Sequence, residues 1–388
     1  MLDLKNIRNE NLSQILFRLH FHGAKRRAAL SQELGIRLNS MNSLMEELQE
    51  KGLIEPVDPN RARSAYKIDG SHHWCLGIKT ARAGVLAQAI RLDGTCLFSK
   101  HIDRHQWKVK DFCLEIKDVV ADFSKRLQRK PLGIGVAMTG IVADGEVKRS
   151  LQFGPWHKVA LRESLEKQLR LKVVVENDTR CALIGEQWFH LKDEARSSIF
   201  AVSLGFGVSS AMILKGELHV GGQSAAGEIG HVPVENVGRP CLCGKFDCLE
   251  AYCKTDEILK QVNEVLDPHA TGEGIVHSLD ELVEKISENP GINNVIDRIS
   301  QLLCKVLVPI VAALDTDTLM VISESEPFSS LISEALNRHF DQRLIGHEAH
   351  GIRWLARGDL SNSNCRGAAA LLIQEVFRNG GETSDLSA

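Results

Sequence analysis

Four side chains in one stretch of the sequence have the types and spacing to hold a metal ion: His231, Cys241, Cys243 and Cys248. Three thiolates and an imidazole are the donor set of a closed tetrahedral Zn2+ site, which fixes a loop and does not activate water. Gly244 lets the chain turn back between ligands. The other seven of the ten cysteines are scattered singly, which is no disulfide framework. The alternative is a group of free thiols beside a core histidine. The C-x-C-x4-C spacing next to His231 favours the metal.

A second constellation lies near the N-terminus. From Arg27 the chain meets the spacing demands of a helix-turn-helix. Gly35 stands at the turn, and small Ser31 where the helices approach. Leu30, Leu34, Ile36, Met41 and Leu44 occupy the core positions. The exposed side of the second helix then carries Arg37, Asn39, Ser40, Asn42 and Ser43. These short polar groups are able to reach base edges or phosphates of double-stranded DNA. Arg61 and Arg63 fall in a turn-rich connection between two short strand-like runs, where a wing would touch the backbone or minor groove. The alternative use is protein contact by a solvated bundle.

The elements that must position these groups follow from periodicity. Residues 11–22 have a helical apolar period, and helices fit Arg27–Leu34 and Leu38–Lys51, the last stopping at Gly52. With runs 52–55 and 65–68 they predict a winged helix-turn-helix over residues 1–70. From Trp74 the pattern changes to strands (74–79, 85–92, 95–102), a helix near 111–129 and strands at 132–138 and 171–176. Further strands at 199–204 and 210–215 precede helices at 249–266, 278–288, 292–313, 327–342 and 364–378. Strands then helices, twice over, predict an α/β body of two lobes over 71–388. The smaller lobe spans about 71–180 plus the helix 364–378, and the larger 181–363 with the metal site. The apolar stretch Ile296–Leu314 suits core better than a dimer surface.

Charge separates the parts weakly. Residues 1–70 hold 11 Lys/Arg against 9 Asp/Glu, so the head is +2 and the rest −5 within a net charge of −3. That is compatible with DNA binding without establishing it. No apolar run is long enough to span a membrane, and MLDLKNIRNENL lacks the apolar core of a signal peptide, so a cytoplasmic location is expected.

The stretch 224–250 resembles the signature of the ROK family (repressors, open reading frames, kinases): Ser-Ala-Ala-Gly-Glu-Ile-Gly-His through Cys-x-Cys-Gly-x4-Cys-Leu-Glu. Gly133–Gly140 is similar to that family's sugar-side loop, with Thr139 where proline is usual. Gly154-Pro155-Trp156 and the strand Val173–Asp178, ending Glu-Asn-Asp, are similar to further family segments. The resemblance implies an actin-like, hexokinase-like fold of two α/β lobes around a sugar cleft. It implies sugar hydroxyl contacts from Asn177, Asp178, Glu228, His231 and Glu250. His231 would bind zinc through one ring nitrogen and a sugar oxygen through the other, so that zinc stiffens the loop carrying Glu228 and Glu250. In the family's kinases Asp178 would be the base for the accepting hydroxyl. A helix-turn-helix ahead of such a body is the arrangement of the family's repressors.

The nucleotide elements expected by the same resemblance are degraded. Asp-x-Gly-Gly-Thr-Lys is replaced by Lys79-Thr80-Ala81-Arg82-Ala83-Gly84, with Lys79 where the aspartate belongs. The second phosphate loop carries Phe206 in Gly205-Phe206-Gly207-Val208-Ser209-Ser210. A Gly-Gly turn after 319–322 has become Ser323-Glu324-Ser325-Glu326. ATP needs close backbone approach and an acidic metal ligand, so no enzyme activity is expected. The expectation is a regulator, as homodimer or higher homo-oligomer, released from an operator by a sugar or sugar phosphate. The alternatives are an active sugar kinase with an appended head, or a regulator that senses a partner protein.

Overall fold

The computed structural model of the chain describes residues 4–61, 63–150, 153–192, 198–266, 275–340 and 351–382. The end of the expected 327–342 helix and the polar tail beyond 382 lie outside them. By compactness the chain divides into residues 1–195 with 362–388, and residues 196–361.

The first unit opens with α1 (Leu4–His22), β1 (Lys25–Arg26), α2 (Arg27–Leu34), α3 (Leu38–Glu50), β2 (Ile54–Pro56) and β3 (Ala65–Ile68). The three strands form an antiparallel sheet ordered β1-β3-β2. Met41, Leu44, Met45 and Leu48 recur at helical spacing on α3 and are buried, which turns its polar side outward. α2 stops at Gly35, left-handed at φ +67°, whose N–H donates to Ser31 O. Ser31 Oγ also donates to Ile36 O at 2.6 Å, so the small residue ties the turn.

The unit continues with β4 (Trp74–Ala81), β5 (Gly84–Arg91), β6 (Cys96–Asp103), α4 (Val109–Leu127), β7 (Ile134–Met138), β8 (Ile141–Ala143), β9 (Glu146–Ser150), β10 (Trp156–Val159), α5 (Leu161–Leu169), β11 (Val173–Asn177) and α6 (Asp178–Phe189). Its main sheet runs β11-β7-β4-β5-β6, parallel across β11, β7 and β4 and antiparallel beyond. A small sheet β10-β9-β8 lies on the path from β7 to α5.

The second unit contains β12 (Ile199–Leu204), β13 (Val208–Leu214), β14 (Glu217–Leu218), α7 (Glu250–Cys253), α8 (Thr255–Leu266), α9 (Leu279–Lys285), α10 (Pro290–Leu314), β15 (Thr318–Ile322), α11 (Glu326–Phe340) and β16 (Arg353–Arg357). Its sheet, β14-β13-β12-β15-β16, repeats the first: an antiparallel three-strand edge and two further parallel strands. β12 and β15 are buried along their whole length, as strands covered on both faces are. α10 is core: Ile296, Ile299, Leu303 and Leu307 are among its buried residues. The expected helix 249–266 breaks at Lys254, where ψ of 153° ends α7.

The last helix, α12 (Leu360–Arg378), follows β16 as α6 follows β11. It packs on the first unit's sheet at van der Waals limits. A Cβ on Gly77 would collide with Cys365 O, and one on Gly135 with Ala368 O. The sequence pattern places the start of the larger lobe at about 181. The structure instead keeps all of α6, and the head, with the first unit.

α1 is seated on the body by rings. His20 stacks on Trp188 at 3.9 Å, and its Nε2 lies 2.9 Å from Trp188 O. Burial holds the His20 pKa far below its ordinary 6.5, at about 3, against the raising effect of the Trp188 carbonyl. Between those values the unfolded chain takes up a proton that the folded chain refuses, so stability falls as pH drops through 6.5. At pH 5 the cost is about 2 kcal/mol, from 1.36 kcal/mol per pH unit. Urea unfolding of His20→Gln and the unsubstituted chain, compared between pH 7.5 and 5, should show the variant losing about 2 kcal/mol less. Parallel losses would show that His20 is not buried neutral.

Candidate functional site

The four metal-ligand candidates converge. One donor atom from each of His231, Cys241, Cys243 and Cys248 lies within 4.8 Å of every other. Cys243 Sγ and Cys248 Sγ are 3.7 Å apart, as are Cys241 Sγ and His231 Nδ1. A tetrahedral ion with S and N donors at about 2.3 and 2.0 Å has edges of roughly 3.5–3.8 Å, so the cluster fits such an ion. The Cys248 thiol is pushed up to about 12 by burial first, and then by its two cysteine neighbours. A cation reverses that penalty.

The loop around the cluster is held independently. Asp247 accepts backbone N–H bonds from Val237, Gly238 and Arg239 and the Tyr252 hydroxyl at 2.7 Å. The Tyr252 hydroxyl, followed by those N–H groups, holds the Asp247 carboxyl below its ordinary value despite burial. Arg239 also pairs with Glu257. Sequence reasoning missed Asp247. Its one signal was an acidic residue directly before a ligand cysteine.

The cluster sits beside part of the expected sugar set. His231 directs Nδ1 at Cys241, while Nε2 lies 3.8 Å from Glu228 Oε2. The two ring nitrogens are thus divided between the cluster and the carboxylate. Glu228 is exposed, ahead of the turn Ile229–His231. That turn lies against β13: a Cβ on Gly227 would collide with Ser210 O, and one on Gly230 with Val208 O. Glu250, 8% exposed, accepts the Val208 N–H at 3.2 Å. Glu228, His231 and Glu250 are therefore all tied to the start of one strand.

In the first unit Asn177 and Asp178 stand where β11 passes into α6. Asn177 caps the helix, accepting from Arg180 N at 3.1 Å, and its Nδ2 donates to Gly140 O at 3.0 Å. Asp178 Oδ1 accepts the Thr179 N–H at 2.9 Å. Both are half-buried. Beneath them Arg180, buried, pairs with Glu176 at 3.0 Å, a contact the sequence signals only as an i, i+4 spacing. Thr139, in the usual proline position, donates its N–H to Thr80 Oγ1.

The three segments expected to stand where nucleotide loops would be have definite shapes. Arg82 and Ala83 form a tight hairpin between β4 and β5, since Ala81 pairs with Gly84. Gly205 N donates to Gly207 O, bringing Phe206 to the surface at 38% exposure. After β15 the turn is knitted by hydroxyls. Ser323 Oγ lies 2.8 Å from Ser329 Oγ, and Glu324 accepts the Ser361 hydroxyl at 2.7 Å.

On the head, Arg37, Asn39, Ser40 and Ser43 are exposed and Asn42 is half-buried. Arg61 and Arg63 are exposed in the β2–β3 connection. Leu38, at the first turn of α3, is 50% exposed, an apolar group amid polar ones that the sequence reading passed over as a helix start. Among the described residues, no helix is long and apolar enough to cross a membrane.

The twice-repeated sheet, with helices following each parallel edge, is the actin-like, hexokinase-like architecture. The ROK family profile matches residues 75–375, and the chain belongs to that family. A crystal structure of a ROK family transcriptional regulator, homolog of the E. coli MLC protein, shares the fold. It matches with a TM-score of 0.81 over 97% of this chain and 98% of the other, at 18% identity. A ROK glucokinase from Streptomyces griseus matches 77% of the chain at 0.65 and 20% identity. In sequence, a glucokinase of Thermotoga maritima is 32% identical over 40% of this chain and 49% of its own length. The transcriptional dual regulator NagC of E. coli is 25% identical over 63% of this chain and 62% of its own. The relatives thus include both repressors and kinases.

Proposed function

We propose that the chain is a DNA-binding transcription regulator of carbohydrate genes, most simply a repressor. Residues 1–70 act as a winged helix-turn-helix head. A sugar or sugar phosphate is held by Asn177, Asp178, Glu228, His231 and Glu250, and a structural Zn2+ by His231, Cys241, Cys243 and Cys248. The carrying observation is the pairing of an exposed polar face on α3 with the substitutions Lys79, Phe206 and Glu324 at the three nucleotide elements. NagC, and the xylose repressors of Bacillus among the relatives, give the regulatory reading its precedent.

Control requires the effector to bind one conformation better than another, because equal binding shifts nothing. A homodimer reading two half-sites doubles the contact made by one short recognition helix. The Arg37→Ala/Asn42→Ala/Arg61→Ala variant should bind duplexes selected from a randomised pool at least about 100-fold more weakly, each lost contact being worth about 1–3 kcal/mol. Its salt dependence should flatten. A mobility shift unchanged in affinity and in salt dependence would remove the assigned reading face. Sugar-dependent ATP consumption at ordinary kinase rates, about 1–100 per second, would instead favour the kinase reading.

A further inference from the structure

The head is joined to the body by more than a linker. Phe17 meets Trp188 edge-on at 5.8 Å and Phe377 at 5.9 Å, and Phe21 meets Trp188 at 5.1 Å. Trp188 and Phe377 themselves touch, at 5.8 Å. One face of α1 therefore rests on the C-terminal ends of α6 and α12 together. The residues after α12 reach further into the head. Gly380 packs against the Asn9 backbone, Gly381 against Leu53 with Leu48 and Leu16 behind it, and Lys51 Nζ donates to Gly380 O at 3.3 Å.

These two helices are locked to each other. A Cβ on Gly367 of α12 would collide with Cys181 O of α6. Ser363 Oγ donates to Glu186 Oε1 at 3.0 Å, in a site where both residues are buried. The two helices thus interlock at Cys181–Gly367 and at Glu186–Ser363.

Their other ends have separate significance. α6 begins at Asp178, capped by Asn177, the two effector positions assigned to this unit. Trp188 lies ten residues on, roughly 15 Å along the axis. α12 contains the passage of the chain from the second unit to the first, between Ser361 and Asn362. A displacement of α6 or α12 would reach α1 through the ring contacts of Trp188 and Phe377.

We propose that the locked pair α6–α12 carries effector occupancy to the DNA-binding head, with Trp188, Phe377 and the Gly380–Gly381 segment as the residues that position it. The proposal rests on the sugar-sensor reading above. Rigid elements transmit a shift where they have a packed, discrete seat, and the ring cluster is such a seat. Neutral His20 adds no charge to it.

The test compares the full chain with Phe377→Leu and with a chain ending at Arg378. Neither change touches an assigned DNA or sugar contact, and the truncation guards against a Phe377 variant that fails to fold. The probes are a duplex selected from a randomised pool, and glucose, N-acetylglucosamine and xylose with their phosphate esters. Calorimetry reads sugar affinity, and fluorescence anisotropy reads duplex affinity with and without sugar. In the full chain the active sugar should change duplex affinity by about ten-fold or more. In the variants sugar affinity should stay within about two-fold, while the change in duplex affinity falls to about three-fold or less. A merely structural role would lower both affinities and leave their coupling intact. Variants with undiminished coupling would overturn the seat and leave the sensor standing. A full chain indifferent to every probe sugar would overturn the sensor, and the seat with it.

Discussion

Replacing Cys248 with serine should abolish metal retention and weaken sugar binding together. The chain purified without chelator should carry about one zinc, since sulfur-rich tetrahedral sets select that ion among abundant divalent metals. Cys248 is the buried member of the cluster, and its sulfur is 3.7 Å from that of Cys243. Serine there leaves three donors and a weak fourth. The second unit has its own core around α10, β12 and β15, so the loss is local and not global. A cost of about 3 kcal/mol would lower the melting temperature by roughly 10 °C at 2–4 °C per kcal/mol.

The effect on sugar follows from the divided ring of His231. Nδ1 faces the cluster and Nε2 lies 3.8 Å from Glu228 Oε2, so losing the metal would free a ring that stands beside the carboxylate. Losses through such supporting contacts run to about 10–100-fold. Metal analysis, calorimetry against the active sugar and differential scanning calorimetry check the three parts. Metal-free protein as purified, with Cys248→Ser melting and binding as the unsubstituted chain, would dismiss the metal site.

The ligand set was legible in the sequence because its spacing is local. The α2–α3 pair was legible for a related reason. Seven constrained positions within Arg27–Leu44 prescribe the α2–α3 crossing, and α2 begins and ends where the periodicity puts it. α6 was not legible as a helix. Thr179 through Trp188 are all buried, so DTRCALIGEQWF has no polar stripe to announce a period. β8–β10 are short and carry exposed Lys148, Arg149, His157 and Lys158, which read as loop. The first turns of α1, KNIRNEN, carry a single apolar residue, exposed Ile7, which sets no period, so they escape the same test. The sugar set needed the family resemblance, because Asn177 and Glu250 lie in different units and no spacing links them. The ring seat of the head joins residues 17, 188 and 377, and such contacts are invisible to any local pattern.

Asp178→Asn should weaken sugar binding by about 10–150-fold while leaving the fold nearly untouched. A hydrogen bond to a charged group is worth about 1.5–3 kcal/mol, and asparagine keeps the shape while losing the charge. Its Oδ1 accepts the Thr179 N–H, which the asparagine oxygen also accepts. The charge lies at the first turn of α6, where its removal costs about 0.3–1 kcal/mol of stability. Glu250→Gln is the matching change in the second unit: the amide oxygen still accepts the Val208 N–H, so the loop is kept and only the charge is lost. The competing explanation for these carboxylates is an internal ion-pair network, and Glu176 with buried Arg180 is a real instance of one. The two explanations predict opposite patterns. If Asp178 and Glu250 serve the sugar, calorimetric affinity drops and the melting temperature hardly moves. If they serve the fold as Glu176 does, the melting temperature drops and the sugar affinity of the remaining folded protein is unchanged. Glu176→Gln supplies the reference for the second pattern, because removing one partner of a buried pair strands the other and costs about 3–5 kcal/mol.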